Sequence, residues 1–565
     1  MHQGIKPGSV SLIANILLAG LICSLNHWVA IAKTRGDYSP FSVSPAASAM
    51  TFDETHAYAP AVQRFMSLGR IPAEVDNYER RDSVAGIPYL PAAILGLTGR
   101  VFGKAELAFI AADFIFPALA FWLFYAISSG LVNSHRWRLV IAWTTLLIPW
   151  GGRNFFWLGY DSLVAAPDFT RTPQPEISFT IVLAAVLLSA RALEPSARPR
   201  TAVVAGMLAS LVVYSYYFYA LAWGMTLAML FVLMLVWKQA EQAKRVGLIL
   251  STMILGSIPF AFVTIRGKAE GGQTYLLARM GGYTHSPRWV PLFFLAAALL
   301  LVVLFGKRFH TNREAHLRIE ILILLLLSGL AGLNFQVLTG YDAQHTHYWN
   351  RLILPVACFL SECWFLSTAE RVASNRRRVL SAAAIGVAVC TVLNAGIRQV
   401  CVGARIAGQQ RASRPELELL GWVRTNIPRE SVIGSVDPNL ILLIPATGAN
   451  FNYVPTGLRS LTATAEIIDR YYELAALLGL SREEVQSVAT IPYHHDTNSQ
   501  LLLVLGDAEA LQSFSDGYDR YRQGDLNGKR RLDYIVLPSS KPLPSRITRS
   551  SLTLGSYTQT LNINS

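Results

Sequence analysis

Charge is what this chain has least of. Asp, Glu, Lys and Arg supply 15% of its 565 residues, 52% are hydrophobic and the mean hydropathy is +0.36, whereas soluble domains carry about 25% charged residues. That shortage excludes an ordinary water-soluble globule and makes a bilayer the solvent. Cysteine is scarce as well. Cys23, Cys358, Cys363, Cys390 and Cys401 lie in or beside apolar stretches, with no CxxC and no Cys/His pair at metal spacing, which argues against a structural zinc site. Internal repeats are missing, and apart from Asp113 the apolar segments hold few acids. A secondary transporter or lipid flippase would place charges near the midplane and build two related halves. The net charge of +13 would suit nucleic acid, but its placement in short loops between apolar segments excludes that partner.

What the chain has is apolar runs. About eleven approach the roughly 20 residues that cross a bilayer: 9–31, 106–131, 138–151, 176–193, 201–217, 218–237, 246–265, 288–305, 319–338, 352–369 and 379–397. With a cytoplasmic N-terminus, the inside loops are SHRWR (134–138), ARALEPSARPR (190–200), KQAEQAKR (238–245), GKRFHTNREAHLR (306–318) and ERVASNRRR (370–378), all short and basic. The bias of Lys and Arg toward short cytoplasmic loops fixes that orientation. Lys6, the apolar run and Ala30-Ile31-Ala32 admit a second reading, a cleaved signal peptide; the stretch after residue 32 is outside in either case.

The outside set is the long loop 32–105, then 151–175, 266–289, 339–351 and everything past about 398. From about Arg411 helix-like pieces such as PELELLGWVRTNIP alternate with strand-like ones such as SVIGSVD and LDYIVLP. We therefore expect a polytopic α-helical membrane protein, residues 1–400, followed by an extracytoplasmic soluble α/β domain, 401–565, long enough for its own core.

The first outside loop opens with TFDETHAYAP (51–60). Thr51-x-x-Glu54 fits a capping box, and Asp53 would complement the helix dipole. The two adjacent acids at the membrane surface equally suit a catalytic site, and a capped helix would hold Asp53 rigidly. Asp53-Glu54-x-x-Ala57-Tyr58, Arg64 and then Gly69-Arg70-Ile71-Pro72 resemble the first outside loop of the GT-C glycosyltransferases that use lipid-linked sugars, among them protein mannosyltransferases and lipid A aminoarabinose transferases. Arg171-Thr172-Pro173-Gln174-Pro175, and Gln336-x-x-Thr339-Gly340 leading to His347-Tyr348, are similar to segments of bacterial GT-C relatives. The likeness extends loosely over most of the chain.

The resemblance implies transfer of a sugar, with inversion, from a polyprenyl phosphate or diphosphate to a glycan, lipid or protein acceptor outside a bacterial inner membrane. Asp53 would be the general base, and Glu54 would orient Asp53 or the acceptor, or hold a divalent cation, which some family members need and others do not. Tyr58 and Arg64, of the same motif, would bind substrate. Developing phosphate charge needs cations, and Arg171, Arg266, Lys268, Arg279, Arg288 and Arg351 lie on outside loops or at their edges; Arg288 and Arg351 also fit as snorkelling interface residues. His345 and His347 stand two apart beside Asp342, as metal ligands or as hydrogen-bond donors to phosphate or sugar. Tyr348 and the run YSYYFYALAW (214–223) fit either a sugar- or isoprenoid-facing wall or an interfacial aromatic belt. A nearer rival, an O-antigen ligase or polymerase, usually keeps its working residues in a large late loop; a non-catalytic membrane scaffold explains the tail but not the acidic loop.

Overall fold

A computed structural model describes residues 7–42, 55–70, 74–83, 89–147, 168–269, 281–288, 313–343, 346–372, 374–408, 411–456, 460–489, 508–522 and 530–536. The first apolar run is not one straight helix but two, α1 (Pro7–Cys23) and α2 (Leu25–Lys33), bent by 52°. At the bend the Ser24 hydroxyl donates back to the carbonyl of Gly20 at 2.9 Å, a back-bond that bends helices. Then come α3 (Thr55–Leu68), α4 (Leu90–Phe102), α5 (Ala105–Ser128) and α6 (His135–Leu147). They are followed by α7 (Glu176–Ala192), α8 (Pro199–Ser215), α9 (Tyr217–Val236) and α10 (Ala240–Ala269). β1 (Gly281–Tyr283) pairs antiparallel with β2 (Tyr341–Ala343), and α11 (Arg313–Gly332) and α12 (Phe335–Thr339) lie between them in sequence. A turn at Thr346–Tyr348, a π-helical stretch Trp349–Ile353, α13 (Leu354–Ala369) and α14 (Ser374–Gly408) complete this part.

Among the described residues five helices are long and apolar enough to cross a bilayer, and the bent α1–α2 pair makes a sixth. This count, of the described residues alone, does not confirm the expected eleven. α6, α7 and α8 hold 13, 17 and 17 residues, and at about 1.5 Å per residue 17 residues span only about 26 Å. The expected span 288–305 lies, beyond Arg288, outside the described residues. One large core runs through α1, α5 to α11, α13 and α14. α8 and α10 approach so closely that a Cβ on Gly206 would stand 2.5 Å from Thr252 Cβ and 2.7 Å from the Ile249 carbonyl oxygen. Away from that core, Leu255, Phe262 and Ile265 of α10 point outward, as a lipid-facing surface requires. The short basic loops tie helix ends together: Arg318 donates to the Ala126 and Ile127 carbonyls at 2.8 and 3.2 Å, and Ser134 N–H donates to Glu370 at 2.7 Å, supplying partners that helix termini lack.

Past Arg411, α15 (Arg414–Asn426) starts from a Ser413/Glu416 capping box. β3 (Val432–Gly434), α16 (Pro438–Gly448), β4 (Phe451–Asn452), α17 (Thr464–Leu477), α18 (Arg482–Ala489), α19 (Ala508–Arg522) and β5 (Tyr534–Ile535) follow. The three strands form a parallel sheet in the order β4-β3-β5. α16, PNLILLIPATG, is apolar all round, as a helix covered on every side must be. Leu440, Leu443 and Ile444 pack toward the sheet, and Ala446 joins Ala59 and Val62 of α3. Tyr78 of the first loop packs on the sheet's cluster, edge-on to Phe451 at 5.3 Å. The core of the tail is therefore shared with the first loop.

Candidate active site

The Tyr-rich run breaks where α8 ends and α9 begins. Tyr216 is extended there (φ −161°, ψ 125°) and turns inward, 7% exposed, while Tyr217 is 50% exposed. The Tyr216 hydroxyl lies 2.6 Å from Arg351 Nη1 and 2.5 Å from His347 Nδ1. A guanidinium only donates, so Tyr216 accepts from Arg351, and the imidazole tautomer decides which of Tyr216 and His347 Nδ1 supplies the proton of their contact. Arg351 is buried in the π-helical turn, the kind of distortion found often at functional sites, and its carbonyl accepts from the Tyr219 hydroxyl at 2.8 Å.

The segment Arg171–Pro175 packs against the same break. Its Thr172–Pro173 and Gln174–Pro175 bonds are cis, and Gln174 Nε2 donates to the Ser215 carbonyl at 3.0 Å. Thr172 Oγ1 meets Asp113 Oδ1 and lies 2.6 Å from Glu176 Oε2. Asp113 Oδ2 is 2.5 Å from His27 Nε2, and His27 Nδ1 is 2.8 Å from the Tyr38 hydroxyl. His27, Asp113, Thr172, Gln174, Glu176 and Arg351 are all buried. One polar layer thus runs from Tyr38 through His27, Asp113 and the Thr172–Glu176 corner to Ser215, Tyr216, His347 and Arg351. Sequence reasoning reached Arg171, His347 and Arg351 but missed His27, Glu176 and Tyr216. The available signal was Asp113, since an acid in an apolar run demands a partner; the same signal at Glu362, which accepts from Thr144 and Thr145 at 2.7 and 3.0 Å, was passed over.

Other expected residues sit around this layer. Arg288 pairs with Asp342 of β2 and donates to the Leu333 carbonyl at 2.9 Å, which pins the β1–β2 ribbon to the end of α11. Burial, then neighbouring Tyr283, Tyr217 and Asp342, push the Tyr341 hydroxyl up to about 12. Tyr348 is buried, edge-on to Phe218 at 5.0 Å and against Gly332. Arg171 is partly buried and Arg266 exposed; the side chain of Lys268, in the last turn of α10, and Asp53, Glu54, Arg279 and His345 lie outside the described residues. α3 is described from Thr55, directly after Glu54, and its Tyr58 packs on a cluster that contains Ala112 and Ile177, the chain neighbours of Asp113 and Glu176.

Arg64 needs a correction. It is 1% exposed, donates to the carbonyls of Val75 and Asn450 at 3.1 Å each, and stacks 3.3 Å above the Phe451 ring. It faces away from the polar layer because the apolar α16 occupies the outer side of α3 and draws the tail onto it. Among the described residues no three His, Cys, Asp or Glu side chains are grouped to hold a metal.

Fold and layer together define a polytopic helical membrane protein in which several connecting segments converge on one buried polar seam. No family model and no curated protein matches the chain. Among solved structures it is similar to the Archaeoglobus fulgidus oligosaccharyltransferase tethered with an acceptor peptide containing the NVT sequon (TM-score 0.48, 11% identity, 94% of this chain and 69% of that one). It is also similar to ArnT from Cupriavidus metallidurans bound to undecaprenyl phosphate (0.44, 11%, 76% and 85%), and to the archaeal oligosaccharyltransferase AglB in complex with an inhibitory peptide and a dolichol-phosphate (0.46, 11%, 94% and 69%).

Proposed function

We propose that the chain is a GT-C-type membrane glycosyltransferase that moves a sugar, with inversion, from a polyprenyl phosphate or diphosphate to an acceptor outside a bacterial inner membrane. Its N-terminus is cytoplasmic, residues 1–400 form the membrane part and the α/β tail stands outside. The observation that carries this reading is the convergence of Arg351, His347 and Tyr216 with the Arg171–Pro175 segment, next to the helix that follows Asp53 and Glu54. The acceptor oxygen forms a bond to C1 of the sugar as the C1–O bond to phosphate breaks; the hydroxyl proton goes to Asp53 and the bonding pair leaves with the phosphate. Arg351 and Arg171, with His347 beside them, receive that charge, for which a planar guanidinium is well shaped. Glu54 orients Asp53 or holds a cation.

Asp53→Asn tests it. The amide keeps size and much of the capping ability but cannot take a proton, so turnover should nearly vanish while insertion and binding of polyprenyl phosphate persist. Thr51→Ala weakens only the cap, by about 1 kcal/mol. Equal losses in the two variants at matched expression would mean that the acids serve the helix.

A further inference from the structure

Many of the described contacts of the loop between α3 and α4 are with the tail, and the tail's sheet has β4 at its edge. On the inner side of β4, Phe451 N–H and Tyr453 N–H bond to β3 residues at 2.9 Å each. On its outer side, Asn452 N–H donates to the Asp76 carbonyl at 2.9 Å, so the loop closes an edge that would otherwise be unpaired. Glu74 is the centre of the junction. It is fully buried, and one carboxylate oxygen accepts from Asp76 N–H and Asn77 N–H at 2.9 and 3.2 Å. The other accepts from the Ser460 hydroxyl and Leu461 N–H of the tail at 2.8 and 2.6 Å. Around it Asn77 donates to Thr462 Oγ1 at 2.8 Å, Arg80 pairs with Glu466 at 3.0 Å, Arg470 pairs with Glu79 at 3.0 Å, and Arg64 spans Val75 and Asn450.

We propose that Glu74 is a positioning residue: by sharing its two oxygens between the loop and the tail it makes them one folded unit, and that unit, rather than the membrane helices alone, sets the place of α3 and of the acids that precede it. The consequence for turnover rests on the reading of Asp53 as the base; the junction itself does not. α3 is gripped from this side twice over, by α16 through Ala446 and by Gln63, which donates to the Ala446 carbonyl at 3.1 Å.

The test is hydrogen exchange and turnover on the full-length protein in lipid nanodiscs. Glu74→Ala removes the acceptor of three buried backbone N–H groups, those of Asp76, Asn77 and Leu461, so exchange in 74–83, in 450–470 and in α3 should accelerate together by about tenfold or more, with α8 and α11 unchanged. Turnover should drop by about tenfold or more through misplacement, with polyprenyl phosphate binding retained. Adding Asn77→Cys and Thr462→Cys should restore both protection and turnover under oxidising conditions, and lose them on reduction. Unchanged exchange, acceleration in the tail alone, or faster exchange in all three segments with normal turnover would each overturn the proposal. Normal turnover in Asp53→Asn alongside the expected exchange pattern and disulfide rescue would sink the catalytic reading and leave the junction standing.

Discussion

Gly332→Ala puts the site's packing to a quantitative test. A Cβ there would lie 2.5 Å from Tyr348 Cε1 and 2.8 Å from Cδ1 and Cζ, against about 3.5–4.0 Å for a comfortable carbon–carbon contact. The ring must retreat by about 1 Å, and it has little room: it is 4% exposed, with the Phe218 ring edge-on at 5.0 Å. Overpacking of this kind costs about 1–3 kcal/mol. Tyr348 directly follows His347 and starts the π-helical turn that carries Arg351, so the displacement travels into the Tyr216 contacts, and about 1 Å there can cost up to 100-fold in rate. Polyprenyl phosphate binding and turnover in nanodiscs should therefore both fall, beside a drop in thermal stability. In a Tyr348→Ala background the same change should be close to neutral, a coupling that only contact explains. Gly386→Ala, with nothing within 4 Å of its added Cβ, is the control. If Gly332→Ala behaves like Gly386→Ala, the tight seat of Tyr348 is refuted.

Arg64→Met should destabilise the outer unit by about 2–4 kcal/mol, from two charged hydrogen bonds and a stacked ring, seen as faster proteolysis of the tail with donor affinity unchanged; lost affinity at normal stability would return Arg64 to the substrate. The junction should also respond to pH from both sides. Arg470 and Arg80 hold Glu466 below the usual carboxylate range although burial pulls the other way, so its contribution is present above about pH 4.3 and lost as pH falls through the folded value. Burial, then the charge of Asp76, raises Glu74 against the pull of its hydrogen bonds, so its contribution is complete below the ordinary value and lost as pH rises through the raised one. Exchange protection of 460–466, corrected for intrinsic rates, should peak at mildly acidic pH; a monotonic profile would contradict this. A phosphatase reporter should be active outside when fused after 408 and inactive at 240, since the short loops at 238–245 and 370–378 carry the Lys and Arg excess; the reverse pattern would invert the topology.

Sequence periodicity located the helices well wherever an apolar run was uninterrupted, as at 105–128, 217–236 and 349–369, because the bilayer leaves the backbone no alternative. It failed where a single polar residue redirects the chain. Ser24 reads as one more small residue in a span, yet its back-bond accompanies the 52° bend. Ser215 and Tyr216 read as part of an aromatic belt, yet they form the break on which Gln174, His347 and Arg351 converge. Single residues of the site were visible as charges near a membrane edge. Their partnerships were not, because His27 and Asp113 are 86 residues apart and Tyr216 and Arg351 are 135 apart, and no local pattern encodes such pairs. The surroundings of Arg64 were illegible for the same reason: its motif neighbours are local, but it also bonds to Asn450, 386 residues away.

The junction around Glu74 also has a history within the life of each molecule. Arg64 and Asn450 are 386 residues apart, and at a synthesis rate of about 5–20 residues per second the loop waits roughly 20–80 s after its own emergence for the strand that will receive it. Every membrane helix has been made by then. A stalled or truncated chain can contain most of its apolar segments and still leave 74–83 unclosed, open to proteases. A stretch made 386 residues later thus completes this loop, and only molecules translated to at least Arg470 have it sealed.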